Sequence, residues 1–184
     1  MVRDPVLAVA RLNRFATAPF FFCDRTHPGD IRRASRPGCD LWARRTAACR
    51  SKAAALENVR VVNVESSYAV RYLLPEASVE TFYLLFPDPW PKRRHHRRRI
   101  VRADFLDAIH RALADDGFFR IATDQLDYFE QICGIARNHS GFAIVDANAS
   151  PARTDLPLTK FERRFRELGA PIYRLALRKI SPVR

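Results

Sequence analysis

The rhythm of apolar and polar positions changes near residue 51. From there on, short apolar runs alternate with segments of helical spacing. Ala53–Ala55 and Leu56 read as the tail of a helix. Val59-Arg60-Val61-Val62-Asn63-Val64 is β-branched and predicts a strand. Ser66 offers a helix N-cap, with Ala69, Val70, Leu73 and Leu74 at helical spacing until Pro75. Val79–Phe86 is nearly continuous in apolar residues, as in a strand buried on both faces of a parallel sheet. Pro87-Asp88-Pro89-Trp90-Pro91 predicts a rigid loop, because proline donates no hydrogen bond. Phe105, Leu106, Ile109 and Leu113 mark an amphipathic helix with Gly117 near its stop. Phe118–Thr123 predicts a strand, Leu126–Ala136 a helix and Phe142–Val145 a strand. Residues 146–158 read as loop, Phe161–Leu168 as a helix and Ile172–Ile180 as a last strand.

Before residue 51 that rhythm is missing. Residues 1–50 hold ten Arg, no Lys, three of the four Cys, and Pro5, Pro19, Pro28 and Pro37. Only Phe20–Phe22 suggests a short strand and Leu41–Cys49 a short helix. The pattern divides the chain into an atypical segment, 1–50, read as disordered or as the product of a shifted reading frame, and an α/β domain, 51–184. Strands alternating with helices predict a mostly parallel sheet, and ligands of such sheets bind beyond the carboxyl ends of the strands. Asp88 and Asp124 are both expected there.

Composition sharpens the class of partner. The 184 residues carry 32 Lys and Arg against 20 Asp and Glu, a net charge of +12. Such a surplus points to a polyanion, of which nucleic acid is the commonest. The longest apolar runs, such as Pro19–Cys23 and Tyr83–Pro87, are far shorter than the roughly 20 residues of a membrane span, so no transmembrane segment is expected. Val6–Ala10 is too short for a signal peptide and is followed by Arg11 and Arg14; an organelle transit peptide is only weakly indicated. Cysteines at 23, 39, 49 and 133 match no zinc or disulfide framework and predict a reduced, cytoplasmic protein.

Three stretches carry candidate chemistry. In Phe86-Pro87-Asp88-Pro89-Trp90-Pro91-Lys92, two prolines hold the backbone around one carboxylate, which suits a charge that must be in place before reaction. A rigid turn with a solvated Asp is the plain alternative. The run Lys92-Arg93-Arg94-His95-His96-Arg97-Arg98-Arg99, with Arg102, sets seven cations together without an acid. Phosphates satisfy such a cluster; a solvated basic face or a localisation signal is the alternative. The His pair lacks a third matching ligand, so no metal is expected. Thr159-Lys160-Phe161-Glu162 reads locally as a capping box. No GxGxxG, P-loop or Gly-rich strand–helix turn occurs, and there are six glycines in all.

Tyr83–Ile100, followed by Ala122-Thr123-Asp124 and Thr159-Lys160-Phe161-Glu162, closely resembles the tRNA (guanine-N7-)-methyltransferase family, and Asn58–Val61 is also similar. The resemblance covers about residues 52–181. It implies a class I methyltransferase-like, doubly wound, mostly parallel α/β sheet whose first strands and Gly-rich turn, due before residue 52, are missing or replaced. It implies methyl transfer from S-adenosylmethionine to N7 of a guanine in the variable loop of tRNA. Asp88 would be the catalytic carboxylate and lie at the cofactor. Glu65 would stand where the family usually has an Asp near the adenine. Lys92, Asp124, Thr159, Lys160, Phe161 and Glu162 would contact the substrate. Arg94, His95, His96, Arg97, Arg98 and Arg99 would face the RNA. The partner would be tRNA, with no membrane or metal, and the chain a monomer or weak homodimer. An RNA-binding remnant without catalysis is the alternative, and so is a basic nucleic-acid-binding module of another kind.

Overall fold

The computed structural model describes residues 7–12, 20–23, 60–63, 65–145 and 160–180. Among the described residues seven strands are paired: β1 Leu7–Leu12, β2 Phe20–Cys23, β3 Arg60–Asn63, β4 Val79–Leu85, β5 Leu113–Thr123, β6 Phe142–Val145 and β7 Tyr173–Lys179. They form one sheet in the order β3-β2-β1-β4-β5-β7-β6. β2 runs parallel to β3, and β4 parallel to β5. β1 is antiparallel to both its neighbours, and β7 to both of its own. The remaining five strands share one direction, but four of the six pairings are antiparallel, so the α/β sheet is mixed where a mostly parallel one was expected.

Between the strands lie α1 Ser66–Tyr68, continued by π-helical Ala69–Leu73, a 3-10 segment Arg93–Arg98, α2 Ala103–Ala112, α3 Leu126–Arg137 and α4 Lys160–Glu167. The core sits where β4, β5 and β7 meet α2 and α3. Phe82, Leu84, Leu106, Ile109, Leu113, Phe119, Ile132 and Leu177 are almost wholly buried. Each such side chain contributes about 1.5–3 kcal/mol. Phe119 holds Phe82 and Phe105 edge-on, with centroids 6.5 and 6.3 Å away.

Several boundaries differ from the expected ones. The cap of α1 is Glu65, one residue before Ser66: its carboxylate accepts from the Ser67 and Tyr68 amides at 2.9 and 2.7 Å. Gly117 does not stop α2, which ends at Ala112; it lies inside β5. A Cβ at 117 would stand 2.8 Å from the Ala114 carbonyl oxygen and 3.1 Å from that of Glu80. The pairing of β4 with β5 shifts there, and Asp116 has a φ of 58°. Backbone closeness at this irregularity therefore selects the glycine. The basic run, for which no element was expected, contains the 3-10 segment Arg93–Arg98. Leu7–Leu12, where no strand was expected, is β1, and Phe20–Phe22 extends to Cys23. The helices expected at 41–49 and 53–56 lie outside the described residues, as does most of 1–50.

Candidate functional site

Strand register carries the candidate residues to one rim. Asn63 is opposite Cys23, Cys23 opposite Leu7, and Leu7 opposite Leu85. Leu85 is opposite Ala122, which is opposite Arg174. This row crosses six of the seven strands. Just beyond it in sequence stand Glu65, Asp88 and Asp124. Arg174 itself donates to Glu162. The two carboxylates expected beyond the ends of adjacent parallel strands do lie there, joined by two more.

Asp88 is half-buried between two buried prolines. The backbone on either side is strained: Phe86 and Trp90 have φ of 53° and 42°. Left-handed non-glycine residues cost about 1–3 kcal/mol each and persist only where surrounding contacts hold them. Here the contacts are visible. The Phe86 amide donates to the Ala122 carbonyl at 2.7 Å. The Phe86 ring lies 5.3 Å from that of Phe165 on α4. Trp90 carries the Arg98 guanidinium at 4.9 Å and meets the His95 ring edge-on at 5.8 Å.

The basic run divides into two parts. Lys92, Arg93, Arg94 and Arg97 are exposed, and His95, His96 and Arg98 are half-buried. Partial burial, then the positive charge of Arg98, Arg94, Lys92 and Arg97, holds the His95 pKa below its ordinary value. His96 Nε2 is 4.0 Å from Asp127. Arg99 is only 2% exposed. Its Nε donates to the Pro89 carbonyl at 2.7 Å, Nη1 to Gln131 at 2.5 Å and Nη2 to Asp127. Its guanidinium lies 4.7 Å above the Tyr128 ring. The expectation of an RNA-facing side chain therefore does not carry over to Arg99, whose donors are turned inward.

Asp124 is half-buried and accepts from the Gln125 side-chain amide at 2.9 Å. Glu162 accepts from Arg174 and, at 3.3 Å, from Arg166. Thr159 lies outside the described residues. Lys160 and Phe161 form the first turn of α4. Tyr128, Asp127 and Gln131 were not anticipated. The legible signal was an acid and an amide one helical turn apart, at 127 and 131, on the helix that follows Asp124. Among the described residues no group of three His, Cys, Asp or Glu is placed to hold a metal ion. None of their helices is long and apolar enough to cross a membrane.

Residues 43–175 match the profile of the Methyltransf_4 family, described as "Putative methyltransferase". The chain belongs to this methyltransferase family, and its sheet is a methyltransferase-like α/β fold with a reversed β1. Curated relatives include the tRNA (guanine-N(7)-)-methyltransferases of Nitrosococcus oceani, 37% identical over 71% of this chain, and Halorhodospira halophila, 39% identical over 68%. That of Vibrio parahaemolyticus is 34% identical over 78% of the chain. The chain spans about half the length of the curated relatives it matches: 54, 55 and 62% of these three. Among solved structures, an SAM-dependent O-methyltransferase from Thermotoga maritima is similar, with a TM-score of 0.49 and 13% identity over 90% of this chain and 51% of that one.

Proposed function

We propose that this protein is a tRNA (guanine-N7-)-methyltransferase that uses S-adenosylmethionine. The observation that carries the reading is the register row, which delivers Glu65, Asp88, Asp124 and the Glu162–Arg174 pair to one rim beside a basic segment. The names of the curated relatives support the same substrate.

The described residues fit the cofactor at two points. Glu65 spends two of its roughly four lone-pair positions on the Ser67 and Tyr68 amides, which leaves acceptors for the hydroxyls of a ribose. Asp88 offers a fixed negative charge to a cationic sulfonium. When bound, S-adenosylmethionine supplies an electrophilic methyl group. Guanine N7 is already a lone pair, so no residue has to remove a proton. Methylation leaves the purine cationic, and Asp88 stabilises that developing charge without moving. Lys92, Asp124 and α4 border the position of the base. The exposed cations Arg94 and Arg97, with His95, His96 and Arg98, face the tRNA phosphates and hold the guanine exposed from its tertiary contacts.

A second reading, an RNA-binding chain without transfer, is favoured by the direction of β1. Leu12 ends beside Val79, and Phe20 begins beside Ala10. The connection between them thus starts and finishes on the rim away from Asp88. The described residues contain no glycine turn facing the proposed cofactor. Calorimetric titration of the purified chain with S-adenosylmethionine, followed by methyl transfer to unmodified tRNA, separates the two. Saturable one-to-one binding with 7-methylguanine formation is expected. A folded chain that binds tRNA but not the methyl donor establishes the second reading instead.

A further inference from the structure

We infer that Arg99 is the positioning residue for Asp88: it fixes the loop 86–91 from behind by clamping the Pro89 carbonyl to α3. The inference rests on the methyltransferase reading for its catalytic consequence, and on geometry alone for the clamp.

Arg99 ends a basic run, yet its guanidinium faces the interior. An unpaired charge so deeply buried is heavily penalised, and the penalty is met only when its donors are engaged. Three are, and each goes somewhere different. Nε reaches the carbonyl of Pro89, the residue after Asp88. Nη1 and Nη2 reach Gln131 and Asp127 on α3. The flat face of the group rests on Tyr128. Tyr128 is itself wholly buried, and its hydroxyl accepts from the Val101 amide at 3.2 Å. One guanidinium therefore spans from the loop that carries Asp88 to the helix that begins just after Asp124. Proline at 89 has no amide hydrogen, so the loop cannot anchor itself there by donating; its carbonyl is the available handle. With Phe86 and Trp90 both in the left-handed region, the loop needs outside contacts to keep its shape. Asp88 is also close enough to Tyr128 for its charge to add to the effect of burial in raising the phenol pKa.

Lysine at this position keeps the charge but replaces a forked donor with a single ammonium, which cannot reach three separated acceptors in fixed geometry. The test uses Arg99→Lys in a Trp42→Phe background, where Trp90 is the remaining one of the chain's two tryptophans. Acrylamide quenching of Trp90 then reports the order of the loop without reference to activity. Quenching is expected to rise while far-UV circular dichroism is unchanged. In the methyl-transfer assay kcat is expected to fall about 100-fold, the size of effect that a small misplacement produces. KM for tRNA and the salt dependence of tRNA binding stay at their wild-type values. Gln131→Leu leaves Arg99 in place and removes one anchor; it should shift quenching and kcat the same way by less, and it serves if Arg99→Lys does not fold.

Unchanged Trp90 quenching in a folded variant overturns the inference, as does a loosened loop with wild-type kcat. A raised KM with a shallower salt dependence also overturns it, since that marks a direct bond to phosphate. If the wild-type chain transfers no methyl group, the methyltransferase reading fails, and the quenching result alone decides whether Arg99 holds the loop.

Discussion

Phe86 donates its amide to the carbonyl of Ala122, which carries the β4–β5 ladder one step past the last residue of β4. Asp88 and Asp124 leave the sheet from that shared rung, two residues after Phe86 and two after Ala122. Their relative placement is thus set by backbone pairing, before any side chain is considered. What the two carboxylates do is a question for substitution.

Asp88→Asn keeps shape and removes charge. The expected result is a loss of about 100- to 1,000-fold in kcat, the range for deleting one preorganised electrostatic group. tRNA affinity should be unchanged, because Asp88 touches no phosphate in the proposed arrangement. Single-turnover methyl transfer and filter binding on the same preparation check both halves.

Arg94→Ala and Arg97→Ala should weaken tRNA binding and flatten its salt dependence. Removing one cation from a phosphate lowers the slope of log K against log salt by about 0.7–0.9. A slope that stays at the wild-type value for both variants removes them from the RNA interface.

His95 should make binding pH-dependent. Burial and its cationic neighbours depress its pKa in the free protein. A nearby phosphate opposes both influences, so binding raises that pKa and takes up a proton. Affinity for tRNA is therefore expected to increase as pH falls from neutral, and His95→Gln should flatten the profile. Titrations in buffers of different ionisation enthalpy count the proton directly.

His110 bears on stability. Burial holds its pKa down; a hydrogen bond with the Ile180 backbone opposes it, and Lys179 and His139 add smaller lowering effects of positive charge, with Asp107 raising it least. Its ring packs on Phe142, with centroids 5.4 Å apart. Below the unfolded-chain value of about 6.5, the unfolded state takes a proton that the folded state does not. Stability should then fall with pH from that value down to the lowered folded pKa, and level off below it. Urea midpoints across this window should show the slope in the wild type and a reduced slope in His110→Phe.

Gly117→Ala should destabilise the fold by about 1–3 kcal/mol, the usual cost of forcing atoms into a packed site. The new methyl group would meet two backbone oxygens, and neither can swing aside. A denaturant midpoint equal to that of the wild type would show that the β5 irregularity can relax.

The second half of the sheet was readable from the sequence because its elements are decided locally. Phe142–Val145 is a strand with the expected bounds, and Val79–Phe86 and Ile172–Ile180 differ from β4 and β7 by a residue or two. Apolar runs bounded by Pro, Gly or Asp leave little choice there. The rim position of Asp88 and Asp124 was also legible, since it follows from two strands running side by side. What could not be read was long-range. Whether an arginine in a basic run faces solvent or interior depends on a helix about 30 residues away, so Arg99 looked like Arg97. Gly117 looked like a helix stop because its real constraint, the Glu80 carbonyl, belongs to another strand. Nor does spacing reveal that Glu162 is taken up by Arg174, 12 residues further along the chain.

The reversal of β1 has a meaning of its own. A strand's alternation of faces is the same from either end, so a slot in a sheet accepts a segment in either direction as long as its pairing partners are met. A binding rim lacks that symmetry, because what matters there is which end of the strand the chain leaves from. Leu7–Leu12 therefore serves as the joint between β2 and β4. Breaking its backbone pairing should loosen the sheet and, with it, the spacing of Glu65 and Asp88 along the rim.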